Sequence, residues 1–419
     1  MLTALLDPAT PHPDPLPSSR GEGEVRRTRA NTQQSTLMTN PLLRGIRVLD
    51  LSRLLPGPHC TMLLAQLGAE IIKIEEPNGG DYARSLSTEM FSVINRGKQS
   101  LTLDLRKPEG VAILKQLVAE ADVLLESFRP GVMDKLGCGY ETLKAVNPKL
   151  VYAALTGYGQ TGPYRDRAGH DMNYCGYAGA LDQIGSASGG AVLSNTQIAD
   201  LAGGSLTCAV GILAAVIGAR ASGQGAFVDS AMLDGTLALQ VVALGTLRTI
   251  GKTLPRGTDM LTGAIPNYNL YECADGKWFA LGTLEMKFWQ SYCTRIGRDD
   301  LAKKPMAPGK LAEDVKAEVA TLFKTRTRDE WEAFLAPADA CTSGIYSLEE
   351  ALQNEQVRAR GLVENDNGKP AIGSPLQFRD AVPATTGAAP KLGEHTAAIL
   401  DRLGLDAARQ QALKSARVC

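Results

Sequence analysis

The residues that could carry chemistry in this chain are few, because histidine is scarce. The four histidines are His12, His59, His170 and His395. His170 lies in Ala168-Gly-His-Asp-Met-Asn-Tyr174, where a polar loop meets a predicted helix with Asp171 as its expected N-cap. The positive end of a helix favours the neutral imidazole, which is the form that a general base needs. A histidine hydrogen-bonded to a turn would give the same sequence, so both interpretations stay open.

Two acidic residues could complete such a site. Asp200 precedes a long apolar helix. As an N-cap its carboxylate would be charged, whereas at the edge of an apolar pocket the neutral acid would be favoured. Gly203 and Gly204 follow it and would let a ligand approach the backbone closely. Glu285 opens another predicted helix, where a first-turn glutamate usually only complements the helix dipole.

Basic residues at the ends of predicted elements could hold an anionic ligand. Solvated surface charge is the default interpretation of each one. Ligands of a parallel sheet bind near the ends of its strands, however, and several cations there could hold phosphates. The residues are Lys73, Arg96, Lys98, Arg129 and Lys135.

Short apolar runs alternate with helical patterns over the first half of the chain. This alternation predicts right-handed crossovers and an α/β fold, with a large, Rossmann-like, doubly wound domain whose parallel sheet is covered on both faces. Strands are predicted at 46–51, 70–75, 100–104, 122–126, 150–156 and 226–230. Helices are predicted at 60–67, 109–121, 139–145, 171–181, 201–220 and from the last strand to about residue 248.

From Gly251 the pattern changes to that of a smaller α+β domain. A hairpin of 268–273 and 277–281 is predicted around the turn Asp275-Gly276, followed by amphipathic helices at 286–296, 311–324 and 328–334. A last helix is predicted at 396–403. The expected domains are a disordered extension (1–40), a large domain (41–230, completed by 361–419), two linkers (231–260 and 336–360) and a small domain (261–335).

Composition narrows the class of protein. The chain has 44 Lys and Arg against 45 Asp and Glu, a net charge of −1 that predicts neither a nucleic-acid nor a membrane partner. Its eight cysteines form no C-x-x-C pair, so we expect reduced thiols in a cytoplasmic protein and no metal site.

The uncharged segment 201–219 has the length of a membrane span but is rich in Gly and Ala, and we expect a fully buried helix. Residues 1–40 are polar and rich in proline, so we expect disorder there and Met38 as the natural start.

One glycine pattern imitates a dinucleotide site. Gly157-Tyr-Gly-Gln-Thr-Gly162 fits G-x-G-x-x-G and follows a predicted strand. Pro163 and turn-forming residues stand where a helix would have to receive the pyrophosphate. No predicted strand ends in an acid about twenty residues further on, as such a site requires. We therefore expect no nicotinamide cofactor.

Longer motifs are spread over most of the chain. They lie at residues 45–51, 56–59, 67–77, 95–96, 101–105, 122–132, 156–164 and 393–396. Together they resemble the family III coenzyme A transferase superfamily (CaiB/BaiF type), from about residue 41 to 403. The segment Gly169-His-Asp-Met-Asn-Tyr174 is similar to the signature of one branch, the α-methylacyl-CoA racemases. The glycine pattern is then a loop of this superfamily.

The resemblance implies roles for individual residues. His170 and Asp200 would be the two catalytic bases, Glu285 would support His170, and backbone N–H groups, that of Asp171 first, would bind the enolate oxygen. Coenzyme A would enter as part of the substrate, with no separate cofactor and no metal. The residues expected to contact it are Lys73, Asn95, Arg96, Arg129, Val132 and Tyr158.

The activity implied by the resemblance is the interconversion of R and S 2-methylacyl-CoA thioesters, a reaction of fatty acid metabolism. The implied assembly is an interlocked homodimer in which Glu285 of one subunit serves His170 of the other. Two alternatives stay open. In a family III CoA-transferase, Asp200 would form a mixed anhydride with the acid and later a covalent thioester. In a non-catalytic acyl-CoA-binding protein, the fold would bind the ligand without turnover.

Overall fold

The computed structural model describes residues 41–304, 308–381, 384 and 387–419. These residues form two compact units. The larger unit contains 41–253 and the described part of 352–419, and the smaller unit contains the described part of 254–351. The predicted small domain (261–335) lies inside the smaller unit, and the predicted return of the chain (361–419) lies inside the larger one. The predictions for residues 1–40 fall outside the described residues.

A six-stranded parallel sheet forms the centre of the larger unit, which confirms the predicted α/β class. Its strands are β1 (Arg47–Asp50), β2 (Glu70–Glu75), β3 (Gln99–Thr102), β4 (Val123–Glu126), β5 (Val151–Thr156) and β6 (Phe227–Ala231). The order across the sheet is β3-β2-β1-β4-β5-β6. Strands β2 and β3 therefore lie on one side of β1, and β4, β5 and β6 lie on the other side. Such a switch point between β1 and β4 opens a crevice for a ligand at the carboxyl ends of the strands.

Successive strand residues point to opposite faces of the sheet. Because apolar residues lie on both faces, helices cover both of them. They are α1 (Pro56–Gln66), α2 (Ala83–Leu86), α3 (Thr88–Ile94), α4 (Pro108–Ala119), α5 (Val132–Lys135), α6 (Tyr140–Val146), α7 (Asp171–Tyr177), α8 (Ala180–Gln183), α9 (Thr207–Ser222), α10 (Met232–Ala238), α11 (Val241–Ile250), α17 (Glu355–Ala359), α18 (Thr396–Arg402) and α19 (Ala407–Ser415). Leu49 and Leu124 pack with α4, α6, α18 and α19 on one face. Val48 and Val123 pack with α1 and α9 on the other.

Three helices differ from the predicted ones. Helix α1 begins at Pro56 rather than at residue 60, because proline suits the first turn of a helix. The predicted helix 171–181 is two helices, α7 and α8, which are separated at Gly179 with φ +75°. The helix predicted after β6 is likewise divided into α10 and α11.

A hairpin near the carboxyl end of the chain was not predicted. It pairs β10 (Val363–Asp366) with β11 (Lys369–Ile372) in antiparallel fashion. Asn367 and Gly368 form its turn with φ of +53° and +85°. Asn-Gly is the strongest short signal for such a turn, so the sequence did contain the information. Helix α19 was missed as well.

The long apolar segment is helical, but the prediction that it is fully buried is wrong for the single chain. It begins as a π-helical stretch, Ala199–Leu206, and continues directly into α9. Its outward side chains Leu206, Val210 and Ile217 are 49%, 67% and 69% exposed. By length and composition alone, residues 199–222 could cross a membrane. The expectation that no membrane is involved stays a prediction.

The smaller unit is built on a three-stranded antiparallel sheet. The predicted hairpin is confirmed as β7 (Tyr268–Glu272) and β8 (Trp278–Gly282), and β9 (Thr342–Gly344) adds an unpredicted third strand. Its α-helices are α12 (Met286–Arg295), α13 (Asp299–Ala302), α14 (Lys310–Phe323), α15 (Arg328–Leu335) and α16 (Leu348–Ala351). The core contains Trp289, Phe323 and Trp331, all fully buried.

Glycines bring the π-helical stretch and α10 into close contact. A Cβ added at Gly235 would lie 1.9 Å from the carbonyl oxygen of Gly203. One added at Gly203 would lie 2.4 Å from Oγ1 of Thr236, and one at Gly204 would lie 2.8 Å from Cγ of Met232. The expectation that Gly203 and Gly204 admit a ligand is therefore corrected, because their missing side chains make room for a neighbouring helix.

We predict that Gly235→Ala destabilises the larger unit by about 1–3 kcal/mol, because the new methyl group would overlap the Gly203 carbonyl. Gly218→Ala is the matched control: it lies within α9, and a Cβ there meets nothing within 4 Å. Helix propensity should make this control neutral or stabilising by up to about 1 kcal/mol. Urea unfolding followed by circular dichroism measures both variants. Equal stabilities for the two would contradict the proposed packing.

Candidate functional site

A cavity of about 470 Å³ opens at the carboxyl ends of β1, β4 and β5, which is the predicted side of the switch point. The segments that follow these three strands form much of its wall. The lining residues that bear on the chemistry or the charge are Arg53, Leu54, Ser127, Phe128, Arg129, Tyr158, Arg165, Arg167, His170, Tyr174, Asp200 and Met232. The two predicted bases, His170 and Asp200, therefore share one cavity.

His170 is the N-cap of α7, so the prediction that Asp171 has this position is wrong by one residue. The backbone N–H of His170 donates to Oδ1 of Asn173 at 3.0 Å. The phenol of Tyr174 donates to the carbonyl oxygen of Gly169 at 2.5 Å. These two bonds hold the loop on either side of the imidazole, which itself is exposed. The sequence contained no signal that Tyr174 would support this loop.

Asp200 lies in the first turn of the π-helical stretch and is not the N-cap, which is Ile198. Capping therefore does not favour its charged form. Burial, and after it the negative charge of Asp171, raises the pKa of Asp200 to about 7. Of the two alternatives open from the sequence, the desolvated carboxyl is the one that the structure contains. Near neutral pH such a group can give or take a proton.

Asp171 connects the two candidate bases. Its Oδ1 accepts a hydrogen bond from the backbone N–H of Asp200 at 3.0 Å. Because Asp171 follows His170 directly, this bond ties the start of α7 to the start of the π-helical stretch. π-Helical turns occur frequently at functional sites. In this chain the turn carries Asp200 at the cavity wall.

Glu285 belongs to the smaller unit, where it is the exposed N-cap of α12. The cavity and His170 belong to the larger unit. The pairing of Glu285 with His170 stays a prediction.

Three of the predicted coenzyme A contacts are engaged inside the protein. The ammonium group of Lys73 is fully buried and pairs with Asp81 at 2.9 Å. Arg96 is 4% exposed and pairs with Glu364 at 2.6 Å. Asn95 is fully buried. Asp81 and Glu364 therefore already neutralise two of these side chains within the single chain. The coenzyme A contacts of Lys73, Asn95 and Arg96 stay predictions.

The remaining predicted contacts lie at or near the cavity. Arg129 and Tyr158 line it, whereas Val132 begins α5 just beyond it. Lys135, at the end of α5, lines a second recess of about 640 Å³ at the start of α4. Arg106, Lys107 and Lys115 share that recess. The signal that could have found Arg106 and Lys107 is that they follow a predicted strand (100–104) by two and three residues.

Buried charges lie at the end of β1, just before the segment that lines the cavity. Lys98 pairs with Asp50 at 3.1 Å, and both side chains are fully buried. Burial alone would raise the pKa of Asp50, but the charges of Lys98 and Lys73 hold it well below its usual range. Burial lowers the pKa of Lys98 to about 8 despite the attraction of Asp50. Within the described residues, no group of three or more His, Cys, Asp or Glu side chains is arranged to hold a metal ion.

Glu126 ends β4 immediately before the segment that lines the cavity. Its Oε2 accepts a hydrogen bond from the backbone N–H of Phe128 at 2.6 Å, and its carboxyl also bonds the phenol of Tyr152. In the part of the chain that the structure describes, no Lys or Arg pairs with it. Burial therefore raises the pKa of Glu126 to about 8, and the charge of Asp134 adds to the effect.

Together these features define an α/β protein whose switch-point cavity has a basic rim and holds a candidate acid and base. The chain belongs to CoA-transferase family III, whose model matches residues 43–396. It is 36% identical to the α-methylacyl-CoA racemase of Homo sapiens over 86% of this chain and 93% of that protein. It is 34% identical to the succinate–glutarate CoA-transferase of Agrobacterium fabrum over 87% of this chain and 96% of that one.

A solved structure supports the same assignment. A CaiB/BaiF family protein from Brucella suis superposes with a TM-score of 0.78 at 32% identity, covering 87% of this chain and all of that one. Both racemases and transferases are thus among the relatives, at similar identity. These comparisons establish that the chain is a member of this family of racemases and CoA-transferases.

We predict that Glu126→Gln removes a pH dependence of stability. The folded protein keeps the proton on Glu126 up to about pH 8, whereas the unfolded chain loses it near its ordinary pKa of 4.5. The unfolding free energy of the parent should therefore fall as pH rises from about 4.5 to about 8, by a few kcal/mol from this group. Urea unfolding at pH 5 and pH 8.5 measures the change. A Gln variant whose free energy falls as steeply as that of the parent would contradict the neutral carboxyl.

Proposed function

We propose that this chain is a racemase of the α-methylacyl-CoA type, which interconverts R and S 2-methylacyl-CoA thioesters. The observation that carries the proposal is that His170 and Asp200 line one cavity. The hydrogen on the carbon next to a thioester is weakly acidic, and its removal gives an enolate. Inversion of that carbon needs one proton-transferring group on each face, and this pair supplies them.

The proton moves in two steps. His170 takes the α hydrogen as a proton, and the electrons of the C–H bond pass into the enolate. The carboxylic acid of Asp200 then gives its proton to the opposite face of the same carbon, which leaves imidazolium and carboxylate. The reverse reaction exchanges the roles. A pKa of about 7 for Asp200 keeps both of its forms available near neutral pH.

The enolate oxygen needs hydrogen-bond donors in the transition state. We propose that backbone N–H groups in the first turn of α7, beginning with that of Asp171, provide them. Donors fixed before the reaction contribute about 3–4 kcal/mol each in comparable sites. The carboxylate of Asp171 already holds the backbone of Asp200. Its side chain is therefore a positioning group rather than a proton carrier.

The phosphates of coenzyme A need cations, and the contacts predicted at Lys73, Asn95 and Arg96 are engaged elsewhere. We propose Arg129 at the cavity and the basic recess that contains Lys115 and Lys135 in their place. Helix α5 joins the two sites along the chain, since it follows the cavity segment and ends at Lys135. Coenzyme A is part of the substrate in this proposal, and no other cofactor takes part.

The proposed assembly is an interlocked homodimer in the cytoplasm. Apolar side chains of α9, α10 and α11 are exposed in the single chain, among them Ile217, Leu237 and Val241. Monomeric proteins seldom expose so much apolar surface in one region, so a second chain is the cover that we propose rather than a membrane. Glu285 of the partner subunit would then reach His170 and balance its charge.

A CoA-transferase is the alternative, since the relatives include enzymes of that activity. In a transferase the Asp200 carboxylate would attack the thioester, expel the CoA thiolate and form a mixed anhydride. That chemistry requires an acyl acceptor and gives no role to a base at residue 170. A binding protein without turnover would need neither group.

We predict that the protein introduces deuterium at the α carbon of a 2-methylacyl-CoA in heavy water without any acyl acceptor. His170→Ala and Asp200→Asn should each slow racemisation about 100-fold or more, because each removes one proton carrier. Asp314→Asn, an exposed acid on α14, is the control and should leave the rate unchanged. Mass spectrometry and chiral chromatography of the hydrolysed acid measure both quantities.

The other outcomes identify the alternatives. Thioester exchange that needs a free carboxylic acid, with hydroxylamine converting Asp200 to a hydroxamate, would establish the transferase. Tight binding with neither exchange nor isotope incorporation would establish the binding protein.

We predict that two inactive variants restore activity when they are co-expressed. A dimer of a His170→Ala chain with a Glu285→Gln chain has one site with both groups intact if the partner subunit supplies Glu285. Partial recovery is therefore expected in the heterodimer, isolated with two different affinity tags. If Glu285 served its own subunit, both sites would be defective, and no activity would return.

A further inference from the structure

Arg53 at the rim of the cavity has an unusual environment. It follows β1, and its guanidinium lies over the ring of Tyr82 at 5.0 Å and over the ring of Phe128 at 4.9 Å. One of its N–H groups donates to the phenol of Tyr82 at 3.1 Å. Two aromatic rings therefore fix the orientation of this guanidinium before any ligand arrives.

The charge of Arg53 is not neutralised. Some arginines of the same unit pair with carboxylates, as Arg47 does with Glu70 and Arg84 with Glu75. For Arg53, no carboxylate lies within ion-pairing distance anywhere in 41–304, 308–381 or 387–419. Most of its five N–H donors are thus free in a half-buried position on the cavity wall.

The backbone at this position is held in place by buried groups. Leu54 has φ +64°, a left-handed conformation that is unfavourable for a leucine. Its N–H donates at 2.9 Å to Oδ1 of Asp81, whose carboxylate pairs with Lys73. The N–H of Arg53 donates to Oγ of Ser127 at 3.1 Å. Backbone strain that the surroundings maintain is commonly found where a ligand is bound.

We propose that Arg53 binds an oxyanion of the thioester ligand at a point remote from the reacting carbon. A planar guanidinium presents parallel N–H groups that match two oxygens of a phosphate or a carboxylate. Because the guanidinium of Arg53 lies over the rings of Tyr82 and Phe128, its N–H groups would make such a contact along the edge of the guanidinium plane. The oxyanion comes either from the phosphates of coenzyme A or from a carboxylate at the far end of the acyl group. The inference rests on the proposed function, because it takes an acyl-CoA as the ligand.

Three ligands separate the two sources: isobutyryl-CoA, isobutyryl-pantetheine, which lacks phosphates, and glutaryl-pantetheine, which lacks phosphates but carries a carboxylate. Calorimetry gives their dissociation constants with the parent, with Arg53→Gln and with Arg53→Lys. Arg409→Gln, on the exposed side of α19, removes the same charge without touching the cavity. Circular dichroism establishes that each variant is folded.

A phosphate contact predicts that Arg53→Gln weakens isobutyryl-CoA binding about tenfold or more and leaves both pantetheine thioesters unaffected. A carboxylate contact predicts the same loss for glutaryl-pantetheine but not for isobutyryl-pantetheine. Arg53→Lys should retain part of the affinity, since it keeps the charge but not the paired donors. Arg409→Gln should change none of the three constants.

Several results would overturn the inference. An equal loss for all three ligands would mean that Arg53 only maintains the shape of the cavity, and no loss for any would mean that it contacts no oxyanion. A parent that binds none of the ligands would refute it together with the proposed function. Because binding rather than turnover is measured, a parent that binds but does not racemise would refute the proposed function alone.

Discussion

The hydrogen bond from the backbone N–H of Asp200 to the carboxylate of Asp171 is the contact on which the candidate site depends. It links the residue beside one candidate base to the backbone of the other, across 29 residues of sequence. Asp171 also acts on Asp200 electrostatically. Burial is the larger cause of the raised pKa of Asp200, and the negative charge of Asp171 raises it further. One carboxylate therefore holds two segments together and contributes to the raised pKa of a second carboxyl. Removing it would alter both the geometry and the proton supply.

Buried ion pairs hold the turn that follows β1, which forms part of the cavity wall. Lys73 pairs with Asp81 and Lys98 with Asp50, all four without exposed side-chain surface. Loss of one partner from such a pair costs about 3–5 kcal/mol, because the other charge is left buried and uncompensated. The same groups shape the turn after β1. Lys73 donates to the carbonyl oxygen of Ser52 at 2.8 Å. A lysine that the family motif associated with phosphates thus builds the loop that carries Arg53.

The sequence predicted the fold better than the site, for physical reasons. Buried parallel strands are rich in apolar residues, which is why all six strands of the parallel sheet were found, with ends displaced by at most two residues. A cation at the end of a strand is equally visible, but its partner is not. Nothing local to Arg96 reveals that Glu364 neutralises it. Gly203 was misinterpreted for a related reason, since a glycine that admits a helix looks the same in sequence as one that admits a ligand. The shared cavity of His170 and Asp200 was predicted only through the family resemblance.

The protonation of Asp200 does not by itself decide between the two activities of this family. A raised pKa makes its carboxylate a stronger base and a stronger nucleophile, so both proton transfer and anhydride formation would gain from it. The second group on the cavity wall separates the two. Anhydride chemistry uses a single carboxylate and has no step for an imidazole at residue 170, whereas inversion of a carbon must supply and remove a proton on opposite faces. The pair is required only for racemisation, and it is therefore the joint position of His170 and Asp200, rather than the properties of either residue, that favours the isomerase.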